Sequence, residues 1–131
     1  MPKGAPPGLY YEVLVSNWLQ YDGYKTRIRQ RSKKIGEADI IATKSRLFNK
    51  EVIFVECKDK SQVSLTDFHK FVSKFRRFLN NNGKAEGLLV YSGDLHPDVK
   101  DYWQNTLESD LRNRIQLIRK TRDKLRRYTK M

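Results

Sequence analysis

The chain has 131 residues, the length of one domain and too short for two ordinary ones. Twenty-seven Lys and Arg against 15 Asp and Glu give a formal net charge of +12, which points to a polyanionic partner, nucleic acid before anionic lipid. A single cysteine, Cys57, excludes an internal disulfide and a thiolate zinc cluster and suits a reducing, cytoplasmic setting. No run approaches the roughly 18 apolar residues that a membrane span needs.

Residues 1–8 hold three prolines and no apolar run, and read as a flexible leader without a signal sequence. From Leu9 to Gln20, Tyr10, Val13, Leu14 and Trp18 recur at helical spacing, and Asp22-Gly23 ends that helix. Tyr24 to Ser32 alternates as a strand does: Lys25, Arg27, Arg29 and Arg31 point one way, Tyr24, Thr26, Ile28 and Gln30 the other. Two short Ile- and Val-rich runs, 38–43 and 52–55, read as buried strands joined in a hairpin by the polar stretch 44–50.

Ser64 with Asp67 three residues later predicts a capping box opening a second helix. Phe68, Phe71, Val72, Phe75, Phe78 and Leu79 line one face of it, with Lys70, Lys74, Arg76 and Arg77 off that face and Gly83 as its C′ residue. Residues 87–91 form another apolar strand. Pro97 starts a third helix whose inward face holds Val99, Tyr102, Trp103, Thr106 and Leu107. A last strand is expected around Ile115, Leu117 and Ile118, within a C-terminal stretch that carries nine Lys or Arg from Arg112 onward against one acid, Asp123. The pattern predicts a single α/β domain over 9–120, a mixed central sheet flanked by helices, followed by a basic tail over 121–131.

The chemistry gathers around Gly36-Glu37-Ala38-Asp39, opening one strand, and Glu56-Cys57-Lys58, closing the next. An antiparallel hairpin centred between Leu47 and Phe48 sets position 39 opposite position 56, on one face of the sheet. Alternation adds Lys58 to that face and turns Cys57 away. Two carboxylates at one strand spacing repel unless a cation sits between them. Oxygen ligands favour Mg²⁺, with Mn²⁺ able to take its place, since such an ion needs only one or two carboxylates plus waters and phosphate oxygens. The alternative is a salt-bridge cluster at a strand end, which an acid-x-Lys tripeptide alone does not exclude.

The run GEADIIATK, a turn, then EVIFVECKDK resembles the active-site core of the PD-(D/E)XK nuclease superfamily, and within it the Mrr-type restriction nucleases and the archaeal Holliday junction resolvases. The resemblance covers roughly residues 8–93 and implies a restriction-endonuclease-like fold. It implies further that Asp39, Glu56 and the carbonyl of Cys57 bind the metal and that Lys58 stands by the attacking water. Glu12 takes the place of a helical acid that completes the metal site in resolvase-like members. Ala38 stands where the motif's name has proline, and Glu37 is a second candidate for the accessory carboxylate.

The implied activity is Mg²⁺-dependent endonucleolytic cleavage of DNA, on branched or modified substrates among others. The alternatives are an inactive nucleic-acid-binding module of the same fold and a nuclease acting on RNA. Lys25, Arg27, Arg29, Arg31 and Lys33 are the expected DNA contacts, against a charged edge strand guarded from aggregation. His69 and His96 read as solvated or capping residues. The lack of a Gly-rich phosphate loop leaves no nucleotide cofactor expected. Two strands to cut suggest a homodimer. Tyr102, Trp103, Ile115, Leu117 and Ile118 either face a partner or close the core.

Overall fold

Helix α1 (Leu9–Tyr21) is apolar on most of its circumference, so its sequence allows more than one inward face. The computed structural model, which describes residues 8–28 and 38–128, settles that face as Tyr11, Leu14, Val15 and Leu19, with Val13 exposed and Tyr10 and Trp18 half-buried. The Tyr11 hydroxyl donates to the Lys120 carbonyl at 2.7 Å, which fixes the rotation. Glu12 turns inward with that stripe and is 2% exposed. Gly23, at φ 97°, supplies the left-handed residue that ends α1.

Strands β1 (Lys25–Ile28), β2 (Ile40–Ser45) and β3 (Lys50–Lys58) form an antiparallel meander, and β5 (Glu86–Tyr91) and β7 (Ile115–Arg119) continue the sheet in parallel with β3, in the order β1-β2-β3-β5-β7. The expected strand over 24–32 is seen as β1; its second half lies outside the described residues. Central β3 is covered on both faces, and its middle is accordingly apolar without alternation. Pairing with β5 carries β3 through its polar end, Glu56 opposite Leu89 and Lys58 opposite Tyr91. A short parallel pair, β4 (Gln62–Val63) with β6 (Asp94–Leu95), was not legible in the sequence. It depends on Gly93, where a Cβ would stand 2.2 Å from the Lys60 carbonyl oxygen.

Helix α2 (Leu65–Leu79) opens with both halves of the Ser64–Asp67 capping box. It lays Phe71, Phe75 and Phe78 on Phe54 of β3, with Phe68 against Phe71, and each fully buried Phe contributes about 1.5–3 kcal/mol through removal from water. The helix ends on Asn80 in ordinary right-handed geometry, so Gly83 is not a left-handed cap. Helix α3 (Pro97–Asn105) is capped by His96, whose Nδ1 accepts from the Asp98 N–H at 3.0 Å. It stops before Thr106, which is exposed, and a separate short helix α4 (Ser109–Arg114) follows.

Two cores result, one under α2 and α3 and one under α1. Tyr102, Trp103, Ile115 and Leu117 belong to the first and Ile118 packs against the second. Within the stretch read as a tail, Arg122–Arg126 forms helix α5, capped by Thr121, and its Leu125 is wholly buried against the α1 side. No helix among the described residues is long and apolar enough to cross a membrane.

Candidate active site

The hairpin pairs Ile40 with Val55 and Ser45 with Lys50. Extending that register by one residue puts Asp39 opposite Glu56. The two strand ends are tied by a hydrogen bond from the Cys57 N–H to Asp39 Oδ2 at 2.8 Å. In a strand the N–H and C=O of one residue point to the same side, so the Cys57 carbonyl also faces the Asp39 edge. The Lys58 carbonyl correspondingly faces the other way and accepts from the Ser92 N–H at 3.1 Å. Because β2 pairing stops at Ile40, that edge of Cys57 lies beyond the β2 ladder. The Cys57 side chain packs with the residues under α1.

Alternation aims Glu56 and Lys58 toward α2, on the face that carries Phe54. Chain reversal after β3 runs α2 antiparallel to it. Asp67 and Lys74, seven residues apart, therefore stack on one side of the helix at the margin of its Phe stripe. Lys74 Nζ meets Glu56 Oε2 at 3.2 Å, and Lys58 Nζ lies 3.8 Å from that oxygen and 3.9 Å from Asp67 Oδ1. Asp67 Oδ2 receives Lys60 Nζ at 2.8 Å and the Ser64 N–H at 2.9 Å. The strand's acid thus faces the helix's lysine, and the strand's lysine faces the helix's acid.

Glu56 is 2% exposed, and its Oε1 is buried and accepts no hydrogen bond from any described residue. Burial, and then the nearby Asp39 charge, push its carboxyl above the usual range, while Lys74 and Lys58 pull the other way. For Asp67 burial acts upward too, but the bonds from Lys60 and the Ser64 backbone outweigh it and hold the carboxyl at about 2. Asp59 points to the opposite face of the sheet, bonded to Ser92 Oγ at 2.7 Å and to Arg122 Nε at 2.9 Å.

Asp39, Glu56, Cys57 and Lys58 therefore meet at one strand end. Glu12 is buried on the helix that covers the other face, and among the described residues no three Asp, Glu, His or Cys side chains are grouped closely enough to hold a metal ion. Lys25 and Arg27 are exposed. Arg27 pairs with Ile41, which packs on the α2 side, so the basic residues of β1 share the face of Asp39 and Glu56. Arg29, Arg31, Lys33 and Glu37 lie outside the described residues. Sequence reading missed Lys74 and the clasping role of Asp67; the available signal was their place at the edge of the apolar stripe, two turns apart.

Residues 7–127 match the Mrr catalytic-domain family, described as restriction endonuclease. The chain belongs to this Mrr family. Among curated proteins no sequence matches it. In fold, this Mrr-family domain is similar to the crystal structure of a protein of unknown function, at TM-score 0.64 and 16% identity, over 88% of this chain and 63% of that one. It is similar also to a repair endonuclease from Pyrococcus abyssi, at TM-score 0.57 and 13% identity, over 92% and 48%. A third likeness is to the MspJI restriction endonuclease in complex with a 27-mer oligonucleotide, at TM-score 0.52 and 16% identity, over 85% and 24%. The Mrr-family domain thus spans less than two thirds of each of these chains, and at such identities the likeness is one of fold. The mixed sheet between two helical layers is the restriction-endonuclease-like architecture expected from the sequence.

Proposed function

We propose that this Mrr-family domain is a Mg²⁺-dependent DNA endonuclease whose centre is Asp39, Glu56, the Cys57 carbonyl and Lys58. The observation that carries this reading is the buried Glu56 Oε1, an acceptor with no partner among the described residues, beside the strand end where Asp39 and the Cys57 carbonyl converge. A buried carboxylate oxygen of this kind is costly unless something binds it. All three donors are oxygens, the ligand set of a hard divalent cation. Such a cation, when bound, supplies Lewis acidity at the scissile phosphate and makes water more acidic.

The chain's own groups do the rest. The Cys57 N–H holds Asp39 Oδ2, leaving the other oxygen of Asp39 for the cation. Lys58, suspended between Glu56 and Asp67, presents an ammonium to the attacking water and to the negative charge that builds on the phosphate. Lys25 and Arg27, on the same sheet face, guide the backbone of the nucleic acid toward the strand ends, and Arg29, Arg31 and Lys33 are proposed to continue that row. Cutting both strands of a duplex calls for a second copy of the centre, which a two-fold homodimer supplies.

Incubation with linear, branched and single-stranded DNA in Mg²⁺ is expected to give cleavage that EDTA stops; undiminished cleavage in EDTA would dismiss the metal. Binding, measured in Ca²⁺ to prevent cutting, is expected to weaken steeply with salt. Replacing Lys25 and Arg27 together with Gln lowers the slope of log affinity against log salt by about 2, roughly 0.9 per lost phosphate contact. An unchanged slope takes β1 off the DNA. Removing the C-terminus is a poor version of this experiment, because β7 and Leu125 belong to the folded body.

A further inference from the structure

Resting on that divalent-cation reading, we propose that Lys74 is a displaceable counter-ion for Glu56, holding its carboxylate in the metal-free protein and yielding it when the cation enters. Two carboxylates at one buried strand end need positive charge nearby. Lys74 and Lys58 both approach Glu56 Oε2, but they are not equivalent. Lys74, at 3.2 Å, makes the hydrogen bond. Lys58, at 3.8 Å, is shared with Asp67 at 3.9 Å and so keeps a carboxylate whether or not Glu56 is engaged.

Lys74 stands at the margin of the α2 apolar stripe with its side chain 34% exposed, so rotation toward solvent opens no cavity. A divalent cation on Glu56 adds two positive charges within a few ångströms of this ammonium, in surroundings where such repulsion is several times stronger than in water. Lys74 and the cation are then competitors for one carboxylate, and coupling between two ligands of one group acts equally on both. Lys74 works through Glu56, and is a positioning residue rather than a catalytic one.

The test is calorimetric titration of Mn²⁺ into the DNA-free protein. Lys74→Met is expected to bind Mn²⁺ roughly tenfold more tightly than wild type, within the 5–150-fold span of ordinary coupling energies. Lys74→Arg keeps the wild-type affinity. Lys74→Gln, a neutral donor, shifts in the direction of Met and serves if the Met protein fails to fold by circular dichroism. Unchanged affinity in the neutral variants overturns the proposal, and weaker affinity does so by making Lys74 a support that shapes Glu56 for the cation. Asp39→Ala separates the two levels. If wild type binds no more Mn²⁺ than Asp39→Ala, the metal centre itself is refuted; if only wild type binds, the centre stands and the Lys74 comparison decides.

Discussion

Glu56→Gln is expected to lose DNA cleavage by at least about 10³-fold and yet to unfold at a higher temperature than wild type in metal-free buffer at neutral pH. On the proposed function, the loss follows from removing an anionic oxygen ligand of the proposed cation, a group that organises charge in the transition state. The gain follows from linkage. The folded carboxyl of Glu56 lies above its unfolded value of 4.5, first because of burial and second because of Asp39, and the two lysines only partly offset this. A group raised in this way contributes stability that is fully present below the unfolded value and is lost as pH rises through the folded one. Wild type should therefore weaken from about pH 4.5 upward relative to the Gln variant, which has no charge to bury. The expected advantage is a few degrees, the scale on which about 1 kcal/mol shifts a domain of this size. Thermal melts from pH 4 to 8 in EDTA, with cleavage assayed in Mg²⁺, test both halves. A variant that melts lower than wild type at pH 8 refutes the strained carboxylate, and one that cuts at the wild-type rate refutes the centre.

Lys58→Ala is expected to lower kcat by roughly 10²–10³-fold, the usual consequence of deleting one preorganised electrostatic donor. The geometry separates this lysine from its neighbours. Its Nζ sits beyond hydrogen-bonding range of both carboxylates that flank it, while Lys74 is bonded to Glu56 and Lys60 to Asp67. The cation best placed to move onto water or phosphate is thus the one least committed to the protein. Mn²⁺ affinity should not fall in the Ala variant, since an ammonium 3.8 Å from Glu56 Oε2 supplies no oxygen ligand and repels a cation there. Single-turnover cleavage and titration on the same preparation give both numbers. A collapse of metal affinity would make Lys58 a support for Glu56 and remove it from the chemistry.

Much of this centre is set by short-range rules. Equal offsets from a turn between Leu47 and Phe48 put Asp39 opposite Glu56, and the register Ile40 to Val55 agrees with that count, because a slip of one residue would turn Ile40, Ala42 and Val55 out of the core. The Ser64–Asp67 box and the Phe stripe of α2 are local in the same way, a cap and a 3.6-residue period. The tertiary structure decided what local patterns leave open. Helix α1 has two apolar stripes, and only its packing on β2 and β3 chose Tyr11, Leu14, Val15 and Leu19 and so buried Glu12. Leu125 lies in a stretch dominated by charge, and only the surface left beside α1 draws it into the core. Lys74 looks, in sequence, like one more cation on a solvated helix face. What makes it part of the site is the run of α2 back along β3 at the height of Glu56, a distance between two elements that no periodicity within either one contains.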